Sequence, residues 1–363
     1  MQDDQLAYRI TISGYYGFGN IGDEAVLAGI IETFRRLGIQ TTFTVLSGNP
    51  SRTIAEHPGV LSANRLSLPE LLRAIRQSDL VISGGGSLFQ DVTSIASPHY
   101  YLFVLRLARM LRRKTMVYAQ GVGPLVREST KRAVARALNR TDLITVRDPD
   151  SKRLLEHIGV EKPIHLSSDP SFLVIPDIRA ADKLLAERGW AGNRLLGVSL
   201  RWWKGADRWL PQIVQGIELA AREMDVLCIH IPMQPSEDTR LTRNLSNAME
   251  VPADSVKVAK GLFARCDLVV GMRLHSLMFA VSSGVPFVPL AYDPKVESFA
   301  RMAGVNTILS VQDVSADEVK NSILATWQMR SSMAVGLARR AAEYTELALE
   351  SGRLAHKLLK GDI

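Results

Sequence analysis

The feature that most constrains the fold is a change of period that recurs along the chain. A short apolar run gives way to a turn rich in glycine or charge, and then to apolar residues at helical spacing. Its clearest instance is residues 267–295. Asp267-Leu-Val-Val-Gly271 is apolar without alternation, as a strand covered on both faces of a parallel sheet must be. Leu274, Leu277, Met278 and Val281 then recur at i, i+3, i+4 and i+7, which predicts a helix from near Arg273. Pro286 to Ala291 reads as the next strand, with Lys295 just past its end. Successive parallel strands end on one edge, where ligands bind. His275 and Ser276 fall in the first helical turn, off the apolar stripe, where backbone N–H groups and the helix dipole favour an anion. Arg273 offers a planar fork for phosphate or carboxylate. The spacing therefore predicts that Arg273, His275, Ser276 and Lys295 converge on one anionic ligand. The competing reading is a packed histidine and an Arg273 paired with Asp267 or Asp293.

The same period change occurs upstream. Tyr8 to Ser13 alternates as a strand and leads into Gly14-Tyr-Tyr-Gly-Phe-Gly-Asn-Ile-Gly-Asp-Glu24. Gly17, Gly19 and Gly22 match G-x-G-x-x-G between a strand and a helix. A dinucleotide site also needs an acid at the end of the second strand, and Ser47-Gly48-Asn49 supplies none. Asp23 and Glu24 at the helix start would repel a pyrophosphate. The loop is thus read as close backbone approach to a ligand other than NAD. Strands at 79–83, 115–119 and 142–146 follow, the first ending in Gly84-Gly85-Gly86-Ser87 and the last in Arg147-Asp148. Five or more such units predict a doubly wound α/β sheet. The pattern loosens from Phe172, and a second α/β set starts at Leu195 with Arg201 at its first strand's end. The expected architecture is two Rossmann-like domains, 1–175 and 193–333, facing a cleft, followed by a long helix over 334–363.

At 363 residues, 46% hydrophobic and 22% charged, the chain has the composition of a soluble globular protein. No apolar run reaches ~18 residues, so no spanning helix is expected. The opening Met1-Gln-Asp-Asp4 lacks the basic region of a secretory leader, and the expected compartment is the cytoplasm. Cys228 and Cys266 show no metal-ligand spacing and read as buried thiols. Net charge is 44 − 37 = +7, with an isoelectric point near 9.5. That balance favours an anionic partner: nucleic acid, a phosphorylated substrate or an anionic membrane face. Nucleic acid is the weakest of these, because the basic residues are dispersed and no recognition motif is present. The basic amphipathic stretch Leu105 to Lys114 reads as a solvated helix face, with membrane-surface contact as the alternative.

Four motifs in order carry a family resemblance: Gly19-Asn-Ile-Gly-Asp-Glu-Ala25, Ser83-Gly-Gly-Gly-Ser-Leu-Phe-Gln-Asp91, Val146-Arg-Asp148 and Gly271-Met-Arg-Leu-His-Ser276. Together they resemble the polysaccharide pyruvyltransferases over nearly the whole chain, and most of all the bacterial branch that anchors cell-surface layers. The resemblance implies a fold similar to the GT-B glycosyltransferases, with the last helix crossing back to the first domain. It implies phosphoenolpyruvate as donor, no metal and no cofactor. The acceptor would be a lipid-linked disaccharide or polysaccharide precursor, which receives a 4,6-ketal on N-acetylmannosamine. The enzyme would then work at the inner face of the cytoplasmic membrane. Arg147, His275 and Lys295 match the family's functional positions, and Arg273 belongs to the same motif. His275 is expected to donate a proton; Arg273 and Lys295 to hold the donor's anionic groups, with Ser276 and Arg201 beside them; and Arg147 to complete the site on closure. For the base, Asp91 is the first choice and Asp23 or Glu24 the second, against a capping role for the latter pair. Gly17, Gly19, Asn20, Asp23, Glu24, Gly85 and Gly86 would face the acceptor. Two rivals share these features: a nucleotide-sugar glycosyltransferase and a non-catalytic binder of anionic glycans.

Overall fold

The computed structural model describes residues 7–92, 94, 96–242 and 255–363. The opening tetrapeptide, on which the cytoplasmic expectation rests, lies outside them. Two compact units make up the chain: Met1–Phe18, Asp23–Val174 and Tyr344–Ile363 form one, and Gly19–Gly22 with Ile175–Glu343 form the other.

The first unit is built on seven parallel strands: β1 (Tyr8–Tyr16), β2 (Thr41–Ser47), β3 (Leu61–Asn64), β4 (Leu80–Gly84), β5 (Lys114–Gln120), β6 (Leu143–Val146) and β7 (Ile164–Leu166). Their order is β3-β2-β1-β4-β5-β6-β7. β4 and β6 are buried throughout, which is why their sequences run apolar without alternation. The order reverses between β1 and β4, and a crevice at the carboxyl ends of such a pair is where doubly wound sheets bind ligands. Ser13 pairs with Ser83 there, and the chain leaves β1 and β4 through the two glycine loops. The helix Ile21–Arg36 lays Val26, Leu27, Ile30 and Phe34 on the sheet beside Leu354, Ala355 and Leu358 of the long helix Arg330–Lys360. Lys114 Nζ donates to the carbonyls of Leu358 at 2.6 Å and Leu359 at 3.0 Å, satisfying acceptors that a helix end leaves open.

The second unit has five parallel strands: β8 (Leu195–Ser199), β9 (Leu227–His230), β10 (Leu268–Gly271), β11 (Phe287–Ala291) and β12 (Leu309–Ser310). Their order is β12-β11-β10-β8-β9, so the reversal falls between β8 and β10, where Ser199 pairs with Gly271. Arg201 and the Gly271–Ser276 motif follow those two strands directly. The fold class is α/β, with two Rossmann-like units of the GT-B kind.

One expectation changes here. The stretch Leu105 to Lys114 is not one amphipathic face: it spans the end of the helix Ala96–Met110, a turn and the start of β5. Lys114 is spent on the C-terminal helix, whereas Arg106, Arg109 and Arg112 are exposed. Among the described residues no helix is long and apolar enough to cross a membrane.

Candidate active site

In the second unit, a helix opens at Leu274 just after β10, and its N-cap residue Arg273 makes no side-chain cap bond. Arg201, after β8, reaches across to the end of β11: its Nη1 donates to Tyr292 Oη at 2.8 Å. The guanidinium lies 4.9 Å from the ring centres of both Trp203 and Tyr292. Its Nε is buried without a hydrogen-bond partner among the described residues. Burying an unsatisfied charged donor is costly, and an incoming anion would remove the cost. His275 is half-buried in the helix's first turn, with its ring against Gly22 so closely that any Cβ at 22 would overlap Nδ1. Lys295, in the first turn of the helix after β11, holds a loose 3.5 Å pair with Asp293. A half-exposed pair of that kind is weak, so the ammonium can change partners.

Arg273 is not the open fork that its position suggested. Its Nε and Nη2 grip Asp238 bidentately at 3.0 and 2.5 Å, and its remaining donors reach Gln234 and Glu237 at 3.3 and 3.4 Å. Asp238, in the first turn of the helix Pro235–Thr242, is fully buried and also accepts the Gln234 N–H, so the pair ties that helix to the strand edge. Ser276 is likewise turned inward, donating to the Arg273 carbonyl at 2.6 Å. Arg201, His275 and Lys295 thus follow the adjacent strands β8, β10 and β11 at one sheet edge, whereas Arg273 and Ser276 are turned to local structure. Tyr292 and Trp203, which hold Arg201, were missed in the sequence. The available signal was an aromatic residue directly after a strand end.

In the first unit, Arg147 follows β6 and is buried. Its Nη1 donates to Asp169 at 2.8 Å, its Nε lies 3.6 Å from Asp148, and its Nη2 donates to Ser87 at 3.2 Å. It thus braces the triple-glycine loop, as does Gln120 Nε2, which donates to the carbonyls of Gly85 and Gly86 at 3.2 and 2.9 Å. Gly85 and Gly86 adopt φ of +112° and +56°, open only to glycine at low cost. Asp23, half-buried, occupies the place a Gly86 Cβ would take. Tyr16 Oη donates to the Gly84 carbonyl at 2.6 Å. Burial, with Asp23 and Glu24 nearby, holds that phenol well above its ordinary range, so it stays protonated.

The other acidic candidates are committed elsewhere. Asp91 is buried, and its two oxygens accept the Val126 and Arg127 N–H groups at 2.7 and 2.9 Å. Burial raises its pKa, but those bonds, the Thr130 hydroxyl and the Arg127 charge outweigh it and hold the carboxyl below its usual range. It is a loop brace rather than a base poised for proton transfer. Glu24 points inward as well, accepting from Gly17 N at 2.7 Å and facing His57 Nε2 at 3.2 Å. Asn20 caps the Ile21–Arg36 helix through the Gly22 N–H at 3.0 Å. Gly17 and Gly19 take φ of +80° and +73° in the same turn. Of the acidic candidates, Asp23 remains beside the β1–β4 strand ends. Among the described residues, Glu24, Glu56 and His57 offer ligand atoms within 4.8 Å of one another, but Glu24 and Glu56 already hold Gly17 and Arg52.

The sequence pattern of the family described as polysaccharide pyruvyl transferase matches residues 20–294. The amylovoran biosynthesis protein AmsJ of Erwinia amylovora is 20% identical over 390 residues, covering 88% of this chain and 93% of that protein. Among solved structures, HepE of Anabaena, crystallised with UDP and glucose, superposes with a TM-score of 0.64 at 17% identity, covering 97% of this chain and 99% of that one. The UDP-GlcNAc 2-epimerase of Neisseria meningitidis, bound to UDP-GlcNAc, gives 0.60 at 12% identity, covering 97% and 100%. At such identities the structural likeness speaks for the fold alone.

Proposed function

The chain belongs to the polysaccharide pyruvyl transferase family, and from that premise we propose that it moves the enolpyruvyl group of phosphoenolpyruvate onto a sugar as a cyclic ketal. The single observation that carries the donor assignment is Arg201: a guanidinium gripped by Trp203 and Tyr292 at the β8–β10 strand ends, with a buried Nε left to donate. Phosphoenolpyruvate carries a carboxylate and a phosphate close together, so it needs a fixed fork and a second, adjustable cation. Arg201 supplies the fork, Lys295 the adjustable charge, and the helix start at Leu274 the backbone dipole.

His275 is the proton donor of this reading. Protonation of C3 makes C2 oxocarbenium-like; one sugar hydroxyl adds at C2, phosphate leaves, and a second hydroxyl closes the ring. The two hydroxyl protons are accounted for: one ends on the new methyl group and the other on the released phosphate. Asp23 replaces Asp91 as the carboxylate that takes a hydroxyl proton. Arg147 acts by holding Ser87 and the glycine loop, with Gly85 and Gly86 leaving room for the acceptor. The acceptor is a lipid-linked precursor bearing N-acetylmannosamine, as in the surface-anchoring branch, and the exposed Arg106, Arg109 and Arg112 hold the protein at the inner face of the cytoplasmic membrane.

The test compares ligands by thermal shift and calorimetry. Phosphoenolpyruvate should stabilise the wild type, and Arg201→Ala should abolish the shift. Stabilisation by a UDP-sugar and none by phosphoenolpyruvate would favour the nucleotide-sugar reading. Glycan binding without turnover under any donor would favour the binder.

A further inference from the structure

In the first unit, Arg65 stands just past β3, with its N–H on the Ser47 carbonyl at the end of β2. Its guanidinium lies 4.1 Å from the Tyr100 ring centre, 5.4 Å from that of Tyr101 and 5.5 Å from that of Phe18. Its Nη1 makes only long contacts, 3.4 Å to the Gly14 carbonyl and 3.5 Å to Tyr101 Oη. Tyr100 Oη donates to the Arg65 carbonyl at 3.0 Å, fixing the backbone from the other side. Among the described residues no carboxylate lies within ion-pairing distance of this guanidinium, whereas Arg147 in the same unit has two. A cation held by three aromatic rings, with no acid to neutralise it, has already surrendered its rotamer freedom and keeps donors to offer.

Phe18 supplies the second observation. It sits in the glycine loop after β1, 39% exposed, and stacks on Tyr15 at 4.3 Å with 14° between the planes. Gly48 forms its floor: a Cβ there would run into the ring. A large ring that is clamped yet open to solvent adds nothing to the core, and such rings stack on the apolar face of flat partners. We propose that Arg65 and Phe18 form an acceptor subsite for a sugar ring carrying an anionic group, with Phe18 under the ring and Arg65 on the anion. The proposal rests on the transferase reading above for the sugar, and on Arg65 for the charge. A glycosyl phosphate and a uronic acid would both present that chemistry.

The test is calorimetric titration of the full chain with three probes: an N-acetylhexosamine 1-phosphate, the matching uncharged methyl glycoside, and a methyl hexuronide. The wild type should prefer one of the two anionic probes over the uncharged glycoside by about tenfold or more, the worth of a charge-assisted hydrogen bond. Whether phosphate or carboxylate wins identifies the source. Arg65→Ala should erase the preference, and Arg65→Lys should restore it only in part, because the planar fork is lost. Phe18→Ala should weaken charged and uncharged probes alike. Phosphoenolpyruvate affinity should stay unchanged in all three variants. An anionic preference that survives Arg65→Ala, or a wild type that binds none of the probes at millimolar concentration, overturns the subsite. Loss of phosphoenolpyruvate binding in the wild type, with the sugar results intact, overturns the donor reading and leaves the subsite standing.

Discussion

Arg273→Met separates a structural arginine from a donor ligand. The substitution leaves Asp238, whose side chain is fully buried, without its bidentate partner. Removing one member of a buried pair costs about 3–5 kcal/mol. Asp238 keeps the Gln234 N–H at 2.9 Å, and the Glu237 contact is long and half-exposed, so the low end, about 3 kcal/mol, is expected here. For a domain of 150–250 residues, that corresponds to a fall in melting temperature of about 6–12 °C. The double variant Arg273→Met with Asp238→Leu should recover much of the loss, since the two residues form one coupled unit. The assay is thermal unfolding followed by circular dichroism, with phosphoenolpyruvate affinity measured by calorimetry well below the transition. Affinity should stay within about threefold of wild type, roughly 0.6 kcal/mol. An Arg273→Met protein that melts with the wild type but no longer binds phosphoenolpyruvate would refute the structural assignment and return Arg273 to the donor site.

His275→Ala should lower turnover by about 10²–10⁴, the usual worth of a general acid, while melting near the wild type. Gly22→Ala should also slow turnover, because its methyl would displace the His275 ring, and steady-state kinetics of the pair will read both effects. Reversing the charge of Arg106, Arg109 and Arg112 should reduce co-sedimentation with anionic vesicles, and wild-type binding should fall as salt rises; equal binding to neutral vesicles would refute the electrostatic attachment. His230 is buried, and burial pushes its pKa down to about 4. The unfolded chain therefore binds the extra proton first, and stability should fall as pH drops from about 7 toward 4. The loss from this group alone is about 2 kcal/mol by pH 5, and a His230→Gln variant should show a correspondingly flatter profile in denaturant titrations.

The sheet edges were legible because strands buried on both faces leave continuous apolar runs, as at Leu80–Gly84 and Leu268–Gly271. β3 was not, since Leu61–Asn64 is a four-residue edge strand with one buried position, and the helix Pro50–Glu56 before it is too short for a period. β1 ran past its predicted end because a register shift after Ser13 carries it to Tyr16. At the site, position was readable and pairing was not. Asp267 and Asp293 are carboxylates that flank Arg273 in sequence. Asp267 instead accepts the Leu195 N–H at 2.8 Å, Asp293 caps its own helix, and the partner is Asp238 on the separate helix Pro235–Thr242. Asp91 looked like a base because it closes a glycine motif, but the Val126–Arg127 turn that consumes it comes from a distant part of the chain. Strand order brings such partners together, and no local period encodes it.

The donor is tested most directly by phosphorus NMR of the wild type mixed with phosphoenolpyruvate, a UDP-sugar and an N-acetylmannosamine-bearing acceptor. The account predicts that the enol-phosphate signal converts to inorganic phosphate only when acceptor is present, while the UDP-sugar signals persist. Conversion of the UDP-sugar to UDP, with phosphoenolpyruvate untouched, would contradict it.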